Sequence, residues 1–303
     1  MVEIKARAKI NLFLHAGEKR EDGFHPLQSL AVFADFGDRL SAEPADELSL
    51  SLDGPFAAGL DGTDNLVLRA ARALAERVGR EPFARITLTK NLPVASGVGG
   101  GSADAAATLR LLSNLWQLKL DEKVLREVGA ALGSDVPVCV KSQPAFMEGR
   151  GEILTPLTHL PRLPLLLVNP GVAVPTKEIF AALGKRSGVA TKLPSAGFSD
   201  LADLLRFLET TSNDLETPAN AREPWIGDVL DALKRMPGAL FTRMSGSGAT
   251  CFALMPDEGG ASRAAARLKE KYPGWWVQIA SVPDLGISRE TAGRDIGPTP
   301  DGL

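Results

Sequence analysis

Cysteine and histidine are scarce in this sequence. The 303 residues include two cysteines, Cys139 and Cys251, and three histidines. Both cysteines lie in apolar strings, and neither has the spacing to another cysteine or to a histidine that a zinc site needs. We therefore expect two buried free thiols, as in a protein of the reducing cytoplasm, and no zinc site.

Long apolar runs and an excess of charge of one sign are also missing. The longest apolar run, residues 163–168, is far too short to cross a bilayer, and the N-terminus lacks the apolar core of a signal peptide. Acidic and basic residues are mixed along the chain, and the formal net charge is −3. We therefore expect neither a nucleic acid nor a membrane as a partner.

Glycine is concentrated in the most informative segment of the chain. Gly97, Gly99, Gly100 and Gly101 follow an alternating apolar and polar segment that predicts a strand, and they precede an alanine-rich segment that predicts a helix. Glycines let backbone N–H groups approach an anion, and a helix N-terminus adds unpaired N–H groups and a positive dipole end. This order favours a phosphate-binding loop over a plain turn. The loop is neither a P-loop nor a dinucleotide fingerprint, since neither Gly-Lys-Ser/Thr nor a third spaced glycine follows.

Apolar periodicity and turn residues predict further elements. Asp64 is expected to cap a helix that Gly79 ends, and Asp121 to begin another that ends at Gly133. Prolines between residues 156 and 164 mark a change of composition, and we place a domain boundary near residue 155. The other predicted strands lie at residues 8–14, 29–36, 84–89, 165–169 and 240–255, the last a strand–loop–strand, and the other helices at 103–112, 176–183, 199–208, 225–234 and 261–271. This order argues for an α+β protein with a disordered tail.

Two short segments near the N-terminus carry side chains of ambiguous meaning. Lys9 and Asn11 lie two residues apart on a predicted strand, so they point to one side and suit a phosphate or a hydroxyl group, or they form a solvated face. Phe24 and His25 follow a turn signal, where they suit stacking on a planar ring and hydrogen bonding to it, although a lone histidine is usually structural.

Three later segments are equally open when each is taken alone. Asp135 begins a short predicted helix with Pro137 in its first turn, so it is either an N-cap or a carboxylate that accepts the proton of a substrate hydroxyl. Gly246 and Gly248 belong to a second glycine-rich loop, which suits either a phosphate or a tight hairpin. Residues 212–216 form a polar cluster typical of a helix start or a hinge.

The order of these segments resembles the GHMP kinase superfamily, which uses its glycine loop in place of a P-loop. Residues 8–14, 93–103 and 245–249 carry this resemblance, and residues 22–29, 133–137 and 212–216 extend it to a branch that acts on a cytidine diphosphate derivative of methylerythritol. The resemblance covers about residues 5–255. It implies a two-lobed α+β fold, with a ribosomal S5 domain 2-like lobe over residues 1–155, a ferredoxin-like lobe over 156–287 and a tail over 288–303.

The resemblance also implies an activity and a set of site residues. It implies an ATP-dependent kinase of isoprenoid precursor biosynthesis, with Mg²⁺ and a small-molecule substrate. By the same resemblance, Asp135 is expected to position or deprotonate the substrate hydroxyl, and Lys9 beside it to steady the transferred phosphoryl group. The implied substrate-binding residues are Asn11, Phe24 (stacking on cytosine), His25 (hydrogen-bonded to it), Thr176 and Phe180. The implied ATP-binding residues are Asn65, Lys90, Pro93, Val94, Ala95, Ser96, Gly97, Val98, Gly99, Gly100, Gly101, Ser102, Ala103, Gly246 and Gly248.

Departures from the family pattern affect the metal site most. Ala103 stands where many members have a second serine, and Asp104 adds an acid that suits capping or the metal, so the Mg²⁺ ligands stay unassigned. Two other hypotheses remain: a GHMP kinase for homoserine, mevalonate or a sugar, and an idle nucleotide-binding module. The Phe24–His25 pair and Phe180 argue against the first, because those substrates have no base to stack. The presence of Lys9 and Asp135 argues against the second. We expect a monomer or a weak homodimer.

Overall fold

The chain folds around two β-sheets whose inner faces share apolar residues. A computed structural model describes residues 1–21, 23–60, 62, 65–184, 191–192, 194 and 197–285. The predicted tail over residues 288–303 lies outside the described residues. Within the described part of the chain, no helix combines the length and the apolar character that a membrane crossing needs.

The first sheet has six strands. They are β1 (Val2–Ala16), β2 (Leu27–Glu43), β3 (Leu48–Asp53), β4 (Ala84–Thr89), β5 (Ala145–Gly149) and β6 (Ile153–Pro156). Their order is β3-β4-β2-β5-β6, with β1 also paired to β2, and only the β3–β4 pair is parallel among the described strands of this sheet. Strand β1 is irregular between Arg7 and Lys9 and again between Asn11 and Phe13. These irregularities matter because this part of β1 borders the site.

Four helices accompany this sheet: α1 (Leu66–Val78), α2 (Gly100–Leu115), α3 (Glu122–Leu132) and α4 (Val136–Lys141). Helix α1 ends at Gly79, whose φ of 68° is left-handed, as predicted. The prediction that Asp64 caps α1 was wrong about the residue. Asn65 is the N-cap, because its side-chain oxygen accepts a hydrogen bond from the N–H of Val67 at 2.9 Å. Asp64 lies outside the described residues.

The second sheet has four antiparallel strands, β7 (Leu163–Asn169), β8 (Phe241–Met244), β9 (Cys251–Leu254) and β10 (Trp276–Val282), in the order β10-β7-β9-β8. Helices α5 (Thr176–Ala181), α6 (Leu201–Glu209), α7 (Glu216–Arg222) and α8 (Trp225–Lys234) separate β7 from β8, and α9 (Glu258–Lys271) separates β9 from β10. The strands and helices therefore follow the ferredoxin-like β-α-β-β-α-β order, and the chain is α+β as predicted.

A common apolar cluster joins the two sheets. Ile10 and Leu12 of β1 are fully buried in the same cluster as Leu165 of β7 and Phe252 of β9. Each such side chain contributes about 1.5–3 kcal/mol when it is fully buried. Hydrogen bonds also link the two sheets. The carboxylate of Asp35 in β2 accepts hydrogen bonds from the N–H and hydroxyl of Ser281 in β10 at 2.7 and 2.9 Å. The boundary near residue 155 stays a prediction.

Candidate active site

A large cavity collects most of the predicted site residues. Its volume is about 1310 Å³, larger than the roughly 300–1,000 Å³ typical of a pocket for one small ligand, so it has room for two. It is lined by Lys9, Asn11, Phe24, His25, Asn65, Lys90, Pro93, Val94, Ala95, Ser96, Gly97, Gly99, Gly100, Gly101, Ser102, Asp135, Thr176, Phe180 and Gly246. Val98, Ala103 and Gly248 are not among the lining residues: the side chains of Val98 and Ala103 are buried in apolar clusters.

The glycine loop runs from β4 to the N-terminus of α2. Gly99 is the N-cap residue of α2 with a φ of 64°, and no side chain caps the helix. The loop N–H groups and the first turn of α2, at Gly100, Gly101 and Ser102, border the cavity. A helix N-terminus without a capping side chain keeps its N–H donors and positive dipole end available to an anion. The geometry of the loop therefore suits phosphate groups.

The second glycine-rich loop, residues 245–250, joins β8 to β9 and packs on the first. The hydroxyl of Ser245 donates a hydrogen bond to the carbonyl of Gly97 at 3.0 Å, and the N–H of Thr250 donates to the carbonyl of Ser96 at 3.0 Å. Gly246 reaches the cavity, whereas a Cβ atom on Gly248 would lie 2.6 Å from the Met244 sulfur, so Gly248 is tightly packed behind it. The second loop is thus a hairpin that supports the first.

Lys9 and Asp135 form an ion pair on the cavity wall. The Lys9 Nζ atom lies 2.7 Å from the Asp135 Oδ2 atom, and the lysine side chain is almost fully buried. Its aliphatic stem passes under Gly99, where a Cβ atom would lie 3.2 Å from the lysine Cε atom. Asp135 stands at the N-cap position of α4, but its side chain makes no capping hydrogen bond. The carboxylate is directed to Lys9 instead, so capping does not account for it.

Aromatic residues border another part of the cavity. The His25 Nδ1 atom lies 2.8 Å from the carbonyl oxygen of Gly17, and because a carbonyl only accepts, Nδ1 carries the proton. In the neutral ring, Nε2 is therefore an acceptor. The Phe180 ring lies 5.9 Å from the His25 ring between centroids, and the Phe24 ring is about half exposed. Asp22, which precedes them in the motif, lies outside the described residues.

Hydrogen bonds fix the other predicted substrate residues, Asn11 in a buried position and Thr176 in a partly buried one. Asn11 donates from Nδ2 to the hydroxyl of Ser29 at 2.7 Å, and its backbone N–H donates to the hydroxyl of Ser245 at 3.1 Å. The hydroxyl groups of Thr176 and Ser247 lie 2.8 Å apart. Ser29 and Ser245 were not predicted as site residues, because a serine does not signal a site without its tertiary neighbours.

A buried charge cluster lies beneath the start of α2. Lys90 forms ion pairs with Asp38 and, at 2.8 Å, with Asp104. A Cβ atom on Gly100 would lie 3.0 Å from the Lys90 Nζ atom, so the cluster directly underlies the first turn. Burial raises the pKa of Asp104 to about 7, with Lys90 opposing this shift and Asp38 adding to it. Burial lowers the pKa of Lys90, but the two carboxylates outweigh it and the net direction is upward.

The donor set suits a metal ion that is coordinated mainly by phosphates. Within the described ranges, no group of three or more histidine, cysteine, aspartate or glutamate side chains is arranged to hold a metal. Mg²⁺ is usually held by one or two carboxylates together with substrate phosphates and water. Ser102, Asp104 and Asp135 all border the cavity, and the Asp104 Oδ1 atom is buried without a hydrogen-bond partner among the described residues. The residues present therefore fit Mg²⁺ bound with a nucleotide.

Similarity to known proteins extends over parts of the chain from both sheets. The chain matches the GHMP kinases N terminal domain over residues 65–143 and the GHMP kinases C terminal domain over residues 190–274. It is similar to a 4-diphosphocytidyl-2-C-methyl-D-erythritol kinase of Cereibacter sphaeroides, with 52% identity over 288 residues, 93% of this chain and 99% of that relative. A kinase of the same name from Parvibaculum lavamentivorans is 50% identical over 280 residues, 91% of this chain and 97% of that relative.

One solved structure extends the comparison to three dimensions. The crystal structure of a 4-(cytidine 5'-diphospho)-2C-methyl-D-erythritol kinase is 34% identical and superposes with a TM-score of 0.76. The match covers 92% of this chain and 99% of that one. It therefore includes both sheets and the elements that border the cavity.

Proposed function

Because the chain belongs to the GHMP kinase family, we propose that it transfers the γ-phosphoryl group of ATP to the 2-hydroxyl group of 4-diphosphocytidyl-2-C-methyl-D-erythritol. This reaction belongs to isoprenoid precursor biosynthesis. The observation that carries the proposal is that the Lys9–Asp135 ion pair borders the same cavity as the uncapped N-terminus of α2 and the Phe24, His25 and Phe180 rings. Relatives of about half identity with this activity support the choice of substrate.

The ATP side of the site consists of the glycine loop and the first turn of α2. Their backbone N–H groups bind the phosphates, and Asn65 and Lys90 lie toward the adenosine. Phosphoryl transfer requires mainly that the reacting groups are positioned and that developing charge is neutralised. When bound, Mg²⁺ supplies positive charge at the phosphates, and Ser102 and Asp104 would hold it.

The aromatic part of the cavity binds cytosine. Phe24 stacks on the base, and Thr176 and Phe180 close the pocket. Because the Nδ1–H group of His25 donates to Gly17, its Nε2 atom accepts a hydrogen bond from the 4-amino group of cytosine. Uracil presents a carbonyl oxygen at that position, and two acceptors facing each other are unfavourable. This contact therefore selects cytidine over uridine.

The reacting hydroxyl binds at the Lys9–Asp135 ion pair. The Asp135 carboxylate orients the hydroxyl group and accepts its proton as the oxygen–phosphorus bond forms and ADP leaves. The Lys9 ammonium steadies the transferred phosphoryl group, and Asn11 helps to hold the substrate. Homoserine, mevalonate and sugars have no base that would use the aromatic pocket, and an idle nucleotide-binding module would have no use for the ion pair.

The test is the reaction itself. We expect the purified chain with ATP, Mg²⁺ and 4-diphosphocytidyl-2-C-methyl-D-erythritol to give ADP and a product heavier by one phosphoryl group, measured by mass spectrometry. Asp135→Asn should lower kcat by ~10²–10⁴-fold, the usual contribution of a positioned acid or base, and leave ATP affinity nearly unchanged. Asp121→Asn, at the exposed N-cap of α3, is the matched control. ATP binding without any product would contradict the proposed substrate.

A further inference from the structure

The substrate of the proposed function carries a diphosphate between its base and its sugar alcohol. With cytosine at Phe24 and the reacting hydroxyl at Asp135, this diphosphate crosses the space between these two residues. Its negative charge needs a cationic or N–H-rich partner there. The inference below rests on the proposed function and concerns which residue supplies that partner.

The turn between β5 and β6 lies next to both ends of this path. Its left-handed glycines, Gly149 with a φ of 70° and Gly151 with a φ of 105°, place Arg150 at the tip. A Cβ atom on Gly151 would lie 3.3 Å from the carbonyl oxygen of Ser134, the neighbour of Asp135. The guanidinium carbon of Arg150 lies 3.5 Å from the centre of the Phe24 ring. The β5–β6 turn therefore contacts both Phe24, where cytosine is proposed to bind, and Ser134, the residue before Asp135.

The charges around the cavity distinguish Arg150 from the other cations that line it. Lys9 is paired with Asp135, and Lys90 with Asp38 and Asp104. Throughout the described part of the chain, no carboxylate lies within ion-pair distance of the Arg150 guanidinium. Lys19 and Lys177 also line the cavity and are exposed like Arg150, but no aromatic ring of the described residues lies against their ammonium groups.

We propose that Arg150 binds the substrate diphosphate while its guanidinium stacks on Phe24. A stacked guanidinium uses its face for the aromatic ring, whereas its N–H donors lie in its plane and stay available to phosphate oxygens. Such a planar fork matches two phosphate oxygens at once. The stack also restricts the Phe24 side chain before cytosine binds, which lowers the entropic cost of ordering it.

The test asks whether Arg150 binds the diphosphate or only supports the Phe24 ring. Dissociation constants for cytidine and for CDP are measured by calorimetry with the wild-type chain, Arg150→Met and Arg150→Lys. We expect Arg150→Met to weaken CDP binding about tenfold or more and cytidine binding less than about threefold, the scale of one charge-assisted contact. Arg150→Lys should recover part of the CDP affinity. In turnover, Arg150→Met should raise KM for the substrate and leave kcat within about twofold.

One control variant and three contrary outcomes complete the test of Arg150. Arg162→Met changes an exposed arginine that pairs with Glu258 outside the cavity and should alter neither constant. Equal losses for cytidine and CDP in Arg150→Met would overturn phosphate binding and leave only a contact with Phe24. No loss for either ligand would overturn the proposal altogether. A wild-type chain that binds neither cytidine nor CDP would instead overturn the proposed function.

Discussion

Asp104 is a buried carboxyl group that makes the stability of the chain depend on pH. Its pKa is raised by burial to about 7 in the folded protein, from the ordinary 3.8. Between these two values the folded state binds more protons than the unfolded state, so the free energy of unfolding falls as pH rises. The stabilisation from this group is fully present below about pH 4 and is lost by about pH 7.

Replacing Asp104 with asparagine removes this titration while keeping the size of the side chain. We expect the difference in unfolding free energy between wild type and Asp104→Asn to change with pH between about 4 and 7, by at most ~1.4 kcal/mol per pH unit. Urea unfolding at several pH values, followed by circular dichroism, measures this slope. Asp121→Asn, at an exposed position, should keep the wild-type slope. The same slope in Asp104→Asn and wild type would contradict the assignment.

At the scale of single residues, the sequence was informative where a regular element or a motif constrained the side chain. Strand alternation predicted that Lys9 and Asn11 share one side, and both line the cavity although irregularities flank them in β1. Asp38 could not be predicted, because it stands in a strand without a motif and meets Lys90 across 52 positions of sequence. Arg150 was missed for the same reason, since only the β5–β6 turn brings it to Phe24.

The glycine loop is the element on which the proposed binding of ATP depends most directly. Gly97 has a left-handed φ of 78°, and a Cβ atom there would lie 2.3 Å from the carbonyl oxygen of Ser245. That oxygen belongs to the backbone, so it cannot turn away as a flexible side chain would. A left-handed backbone costs a non-glycine residue about 1–2 kcal/mol in addition to the steric clash.

We expect Gly97→Ala to lower the melting temperature and to weaken ATP binding about tenfold or more, because the loop must move away from residues 245–250. Thermal melts and calorimetric titration with ATP measure the two effects. Gly274→Ala is the control, since among the described residues, its two chain neighbours aside, no atom lies within 4 Å of its added Cβ atom. Wild-type ATP affinity in Gly97→Ala would show that the contact between the two loops does not shape the phosphate site.

At the scale of elements, segments with clear end signals or clear alternation were predicted well and other segments were missed. The predicted bounds of β4 and α8 agree with the structure, and α3 runs between the predicted Asp121 and Gly133. Helix α2 begins at Gly100, before the predicted start, because packing against β1 and β2 overrides the low helix propensity of glycine. Strands β3, β5, β6 and β10 and helix α7 were missed, since they are stabilised by pairing or packing with other segments of the chain.

At the scale of the whole molecule, the arrangement of the two sheets depends on contacts between strand β1 and the second sheet. Arg243 of β8 is buried and donates four hydrogen bonds: to the carbonyl of Leu12 in β1, to the carbonyl of Leu208 in α6, and to the hydroxyl and carbonyl of Thr211. Burial lowers its pKa to about 10, with Glu216 opposing this shift, so the side chain remains charged at neutral pH. The composition of the chain indicated a boundary near residue 155. It could not indicate that Arg243 connects segments on both sides of that boundary.

Removal of the Arg243 guanidinium therefore should destabilise the chain as a whole. In Arg243→Met, buried carbonyl groups lose their donors, and each such loss costs about 1–3 kcal/mol. We expect the free energy of unfolding to fall by roughly 3–5 kcal/mol, the usual cost of breaking a buried charged network. Arg243→Lys keeps the charge with fewer donors in a different geometry, so its free energy of unfolding should lie between those of Arg243→Met and wild type.

Urea unfolding followed by circular dichroism gives these values, with Arg162→Met as the exposed control. A loss in Arg243→Met no larger than in the control would mean that Arg243 does not help to join the two sheets. The larger loss would mean that the strand carrying Lys9 is held against the second sheet by this side chain as well.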